Sequence, residues 1–348
     1  MSTPPDPRDA RPEDARADER RDELTRFASP RPERNFLRAA LAAFVNERGR
    51  LRSGWRLAVF AVVFFLAAGL AQLLIVVASG GPQRAEAFFS TLYGNAFNRF
   101  VVLFLATVVA WVCGRVLEGL PLRAFGWAAH RGWLRDFLVG SLVGVGSLLA
   151  AVLVGALFGG YRFSFAASEA LPAALKSLVI AAVFFVVAGA AEEALLRGYP
   201  LQTLLRSLPA WVPLALTALL FGAMHLGNPN AAFLPFVNTS LAGVWLAVAY
   251  LRTRSLWFPT GIHWAWNWTL GPVLGLPVSG LTMLSRAPLA PTEDLGPAWL
   301  TGGAYGVEGG AVCTVALIAS TLFIWRTRLV SADPEMKSYT ERDVSRQS

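Results

Sequence analysis

Three short patterns hold the residues of this chain that could do chemistry: Glu192-Glu193 with Arg197, Phe221 with His225, and His263 with Asn267. Each lies in or beside a stretch apolar enough to cross a bilayer. An ionisable group in hydrocarbon costs about 3 to over 10 kcal/mol. Such groups must pair with one another, bind an ion or line a wet cavity. An intramembrane active site is therefore the leading expectation.

The first pattern reads A-A-E-E-A-L-L-R-G-Y over 190–199. On a helix Glu193 and Arg197 are four apart and form an ion pair on one face, while Glu192 points about 100° away. One carboxylate is then neutralised and the other faces a cavity. A desolvated carboxylate holds its proton more tightly, which suits a general base near neutral pH. Alone, the two Glu would read as interfacial charges at a span end. Phe221 and His225 share a face, as do His263 and Asn267, with Trp264, Trp266 and Trp268 as interface anchors or pocket walls. A lone His on an apolar helix is more often packed and hydrogen-bonded than a ligand. Together the patterns say more, because the chain has only 3 His and two of them fall in spans with a partner four residues away. Two imidazoles and a carboxylate match the three protein ligands of a catalytic zinc or other divalent-metal site, with His225 and His263 as metal ligands. Without metal the same groups hold and polarise a water, with Glu as base and Asn or His at the oxyanion. Both alternatives stay open. H-E-x-x-H, G-x-S-x-G and G-x-G-D are absent, which disfavours zincin, serine and aspartyl intramembrane proteases.

The elements that must position these residues follow from composition. Of 348 residues 55% are hydrophobic and only 16% charged, against roughly 25% charged in soluble domains. The expected fold is all-α: a polytopic membrane protein of about eight transmembrane helices with a polar active site buried in the bundle. The spans are 56–79, 99–118, 136–158, 175–198, 209–226, 232–251, 257–275 and 311–326, each near the ~20 residues a crossing needs. Gly140-x-x-x-Gly144 and Gly155-x-x-x-Gly159 in the third are assigned to helix packing. Trp55, Trp257 and Trp325 at span ends read as interfacial anchors.

The net charge of +8 is almost all Arg, in the N-terminal tail and at span ends. That pattern is topology control by positive charge, with both termini cytoplasmic in a multi-pass cell (inner) membrane protein, and not a nucleic-acid footprint. Three regions result: a cytoplasmic N-terminal tail over 1–50, a transmembrane bundle over 51–330 and a cytoplasmic C-terminal tail over 331–348. Residues 1–33 are too polar to order themselves, and 34–54 read as an amphipathic surface helix or a solvated leader. No cleavable signal peptide is expected. Cys113 and Cys313 read as small buried hydrophobes.

E-E-x-x-x-R at 192–197, F-x-x-x-H at 221–225 and H-x-x-x-N at 263–267, in that order, resemble the CPBP family of intramembrane proteases, also called the CAAX-protease, bacteriocin-processing or Abi family. T-R-S-L-W-F-P-T-G-I-H before the last motif adds to the likeness, which covers about 175–275, the expected protease core. The resemblance implies a membrane endopeptidase acting on a membrane-associated peptide or protein, with the lipid bilayer as its setting. Carried over, Glu192 is the water-activating base. His225 and His263 bind water or metal. Asn267 stabilises the oxyanion. Arg197 holds the site or a substrate carboxylate, and Glu193 supports it. Zinc or another divalent metal and metal-independent chemistry are both compatible with the family. Competing readings are a non-proteolytic membrane scaffold or sensor, and a proton- or metal-coupled transporter, the latter disfavoured by the lack of an internal repeat.

One conflict of depth arises. The spans put Glu192 and His263 near the cytoplasmic side but His225 near the outer end of the fifth. A helix that continues past Arg197 through 205, despite Pro200, resolves it by moving Glu192 towards mid-membrane. Irregular entry of the fifth span near Pro213 is the alternative.

Overall fold

The computed structural model describes residues 42–46 and 49–340. They fall into a unit ending at Arg52 and a unit beginning at Ser53. The expected disordered tail over 1–33 lies outside the described residues. Where the first unit is described, one helix through 34–54 is not what forms. Val45 and Leu51 pair as an antiparallel bridge, closed by Arg50 N donating to Asn46 Oδ1 and by Gly49 in the left-handed region at φ 69°. That region is open to glycine and costly for other residues, so the helix breaks there.

The second unit is a helical bundle with five helices long and apolar enough to cross a membrane. They are α1 (Ser53–Ala78), α3 (Leu92–Glu118), α4 (Trp133–Leu157), α5 (Leu171–Leu205) and α7 (Phe233–Thr253). The chain is a multi-pass membrane protein. Three further helices fall where the remaining spans were expected but are shorter: α6 (Trp211–Met224), α8 (Trp257–Trp268) and α9 (Ala311–Arg326). Among the shorter helices are α2 (Pro82–Phe89) and α10 (Pro334–Thr340). A small antiparallel ribbon of β1 (Tyr161–Phe163) and β2 (Thr292–Asp294) adds to the helical fold. Apolar side chains such as Phe65, Leu66 and Val77 on α1 are more than two-thirds exposed. A contiguous surface of this kind fits contact with lipid.

α5 runs unbroken through 205 and decides the conflict of depth. Its turn at Ala194–Gly198 is a π-turn. Pro200, which has no N–H to donate, sits just after it. The wider turn accommodates the proline ring without ending the helix. Glu192 therefore lies 13 residues, about 20 Å, from the end of α5.

α4 and α8 cross at backbone contact. A Cβ on Gly140 would lie 2.3 Å from Phe258 O, one on Gly144 2.3 Å from Ile262 O, and one on Gly261 2.2 Å from Phe137 O. The first Gly-x-x-x-Gly pair thus packs helices as expected. In the second, Gly155 backs onto the Tyr161 ring, but Gly159 lies beyond the end of α4 with open space around it. Trp257 is no simple anchor. Its ring packs on Trp127 and Trp133 at 5.2 and 4.6 Å, and its Nε1 donates to Ala128 O.

A buried charge cluster ties α1, α3 and the end of α5. Glu118 accepts from Arg56 Nη1 at 3.1 Å and stands 3.3 Å from Arg206 Nε, all three buried. Removing one partner of a buried pair strands the other. Glu118→Gln should destabilise the protein by about 3–5 kcal/mol, seen as a large fall in melting temperature in detergent. An unchanged melting temperature would show that the cluster contributes nothing.

Candidate active site

The three motifs converge. Glu192 and Glu193 come from α5, Phe221 from α6, and His263 with Asn267 from α8, while His225 caps the C-terminal end of α6. Glu193 is fully buried and its Oε1 accepts twice, from Arg197 Nη1 at 3.2 Å and from His263 Nδ1 at 3.0 Å. Arg197 is also fully buried. Its Nη2 donates to Gly243 O at 2.9 Å, and its guanidinium lies 4.7 Å from the centroid of the Phe221 ring. The same ring meets the imidazoles of His225 and His263 at 4.8 and 5.8 Å. Phe221 is thus the apolar spacer that holds both histidines and covers the arginine.

Both imidazoles are fixed in the same sense. His225 Nδ1 donates to Phe221 O at 2.7 Å, and His263 Nδ1 donates to Glu193. That leaves the Nε2 atoms, and both face Glu192 Oε2, at 4.0 Å for His225 and 3.7 Å for His263. That carboxylate oxygen is buried and has no hydrogen-bond partner among the described residues. Buried carboxylate oxygens normally have one.

Glu192, His225, His263, Asn267, Arg99 and Phe221 line a cavity of about 670 Å³. Glu193 and Arg197 do not reach it. Arg197 is spent on Glu193, Gly243 and Phe221, so its place as a receptor for a substrate carboxylate has no support, and its place as the holder of the site does. Asn267 makes no side-chain hydrogen bond to a described residue and is open to the cavity. The α8 indoles set the depth of His263. Trp264 Nε1 donates to Ala182 O and Trp268 Nε1 to Leu178 O, both on α5 and both at 2.9 Å.

Two functional-looking residues were missed in the sequence. Arg99 Nη1 donates to Glu192 Oε1 at 3.0 Å and supplies its counter-charge. The span expected over 99–118 begins at this arginine, whereas α3 begins at Leu92. The polar Asn95 one turn earlier was the available signal. Glu308, between the expected spans 257–275 and 311–326, lines the same cavity. It accepts from Trp266 Nε1 at 3.1 Å and from Ser279 Oγ at 2.8 Å. It gave no signal, because nothing local marks it.

Glu192 Oε2 and the two Nε2 atoms are the donor set that a divalent ion would use. Bonds of 2.0–2.1 Å to a tetrahedral ion place donors about 3.4 Å apart. The separations here are wider, and among the described residues no three such side chains are grouped as a metal site. As arranged, the residues fit a water better than an ion.

Residues 174–269 match the family model described as Type II CAAX prenyl endopeptidase Rce1-like. Over this core, little more than a quarter of the chain, the sequence is similar to that family, which supports the likeness to the CPBP intramembrane proteases. The matched segment contains all three motifs, whereas Arg99 and Glu308 lie outside it. No curated protein and no solved structure matches the chain.

The two adjacent carboxylates should separate cleanly on mutation. Glu193→Gln leaves Arg197 buried without a carboxylate and should cost about 3–5 kcal/mol in stability. Glu192→Gln, at the cavity wall, should leave the melting temperature in detergent close to that of the wild type. Equal losses for the two variants would contradict the division between a structural and a cavity-facing Glu.

Proposed function

We propose that the chain is an intramembrane endopeptidase that cleaves a membrane-associated peptide or protein with a water activated by Glu192. In this reading α6, α8 and α9 also lie within the bilayer, giving eight crossings, and both termini are on the cytoplasmic side of the cell membrane. The bundle is followed on that side by a C-terminal tail from 331, and preceded by an N-terminal tail over 1–50.

The observation that carries the reading is the unpartnered Glu192 Oε2 facing the Nε2 atoms of two imidazoles beside a cavity. A water there donates one hydrogen to Glu192 and the other to an Nε2. Its oxygen attacks the carbonyl carbon of the scissile bond as its proton passes to Glu192. Asn267 Nδ2 donates to the oxyanion that develops. The proton on Glu192 then passes to the departing nitrogen, so the carboxylate is regenerated. Arg99 holds the carboxylate through Oε1 and leaves Oε2 for the water. Glu193 keeps the His263 Nδ1–H in place, so that Nε2 remains the acceptor. No step passes through a metal, and EDTA treatment should leave cleavage intact. Loss of cleavage with recovery on adding Zn²⁺ would replace this route by a metal-dependent one.

The reading is tested by surveying protein termini in host membranes that carry the wild type or Glu192→Gln at matched abundance. Termini that vanish in the variant identify the substrate and the side that is cut. An unchanged set, with the protein present, would favour a scaffold or a transporter. With a substrate in hand, Glu192→Gln should lower the cleavage rate about 10²–10⁴-fold and Asn267→Ala about 10²–10³-fold. A smaller loss for either would remove it from the reaction.

A further inference from the structure

A second cavity, of about 500 Å³, opens at one end of the bundle, where α5 and α7 end and α6 begins. Its lining is amphiphilic. Leu205, Leu208 and Leu251 form an apolar wall, and Arg252, Arg254 and Lys337 supply three cations. Ser331 and Thr340 add hydroxyls, and no Asp or Glu among the described residues lines it.

The cations are built in different ways. Arg252 Nη2 donates to Val330 O at 3.2 Å and also to Thr327 O, which holds the C-terminal segment as one wall. Its Nε is buried without an acceptor. Arg254 follows the last turn of α7 in the left-handed region, at φ 55°, and its N–H donates to Tyr250 O at 2.6 Å. Glycine or asparagine usually takes this position, and a longer side chain is disfavoured there. The side chains of Arg254 and Lys337 make no hydrogen bond or ion pair with a described residue. Two acids of the same C-terminal segment, Asp333 and Glu335, are engaged elsewhere. Asp333 Oδ1 accepts from Glu335 N, and the Glu335 carboxylate accepts from Arg123 at 2.8 and 3.0 Å.

We propose that this cavity binds the phosphate of an anionic phospholipid, with the acyl chains against its leucines. Helices that cross the bilayer end here, so the cavity sits at the depth of the headgroups. Cations alone would suit any phosphate. Cations beside an apolar wall suit one that carries hydrocarbon, and basic pockets between membrane helices are a recognised setting for anionic headgroups. The site is separate from the Glu192 cavity and takes no part in the proposed hydrolysis.

The test is native mass spectrometry of the full chain released from detergent after addition of phosphatidylglycerol or of phosphatidylcholine with the same acyl chains. The wild type should retain the anionic lipid on the order of tenfold more than the zwitterionic one. Arg254→Gln with Lys337→Gln should abolish that preference at an unchanged melting temperature. If the double variant does not fold, the exposed Lys337→Gln alone should still reduce the preference. Equal retention of the two lipids by the wild type would overturn the proposal, as would a variant that keeps the preference. Displacement of phosphatidylglycerol by excess inorganic phosphate would also overturn it, and would make this a site for free phosphate.

Discussion

Glu193 sits where no water reaches, and one of its oxygens accepts from both Arg197 and His263. A lone carboxylate or guanidinium at that depth would be costly enough to rearrange the bundle. Paired, they become its fixed point. Arg197 reaches on to Gly243 O of α7, and Phe221 of α6 lies over its guanidinium. Four helices, α5 to α8, thus meet at a single ion pair and its neighbours. Glu192 needs no scaffold of its own. As the next residue back along α5, it inherits that rigidity and turns its carboxylate into the cavity.

The polar core uses each side chain for one task. Nδ1 of each histidine is consumed in positioning, by Phe221 O or by Glu193, and Nε2 is what remains for chemistry. Glu192 divides in the same way, Oε1 to Arg99 and Oε2 to the cavity. Immobilising one end of each group while leaving the other end unfilled is the kind of preorganisation that electrostatic catalysis requires.

Much of this was legible in the residues. Spacing by four placed Arg197 on Glu193 and His225 under Phe221, because a helix brings such residues together whatever surrounds them. The passage of α5 through Pro200 was also readable, since L-Q-T-L-L-R keeps a helical pattern on its far side. What could not be read were contacts between distant segments. The meeting of Arg99 with Glu192 spans 93 residues, and that of Glu308 with Trp266 depends on how the loop before α9 folds back. Trp257 looked like an anchor because its burial is decided by Trp127 and Trp133, which belong to another part of the chain. The second Gly-x-x-x-Gly was misleading for a local reason: α4 ends before its last glycine, so half the pattern falls in a turn.

At the α4–α8 crossing Gly140, Gly144 and Gly261 put backbone against backbone, too close for a Cβ at any of the three. A bilayer that thickens or thins exerts its mismatch on the helices it surrounds. This joint has little give, so the strain is taken up elsewhere. α1, whose large apolar side chains mostly face outward, meets the lipid along much of its length and is tied to the bundle through Arg56 near its start. The helix that carries His263 is thereby held against α4 when the bilayer changes thickness, as a hinge pin stays put while the door warps.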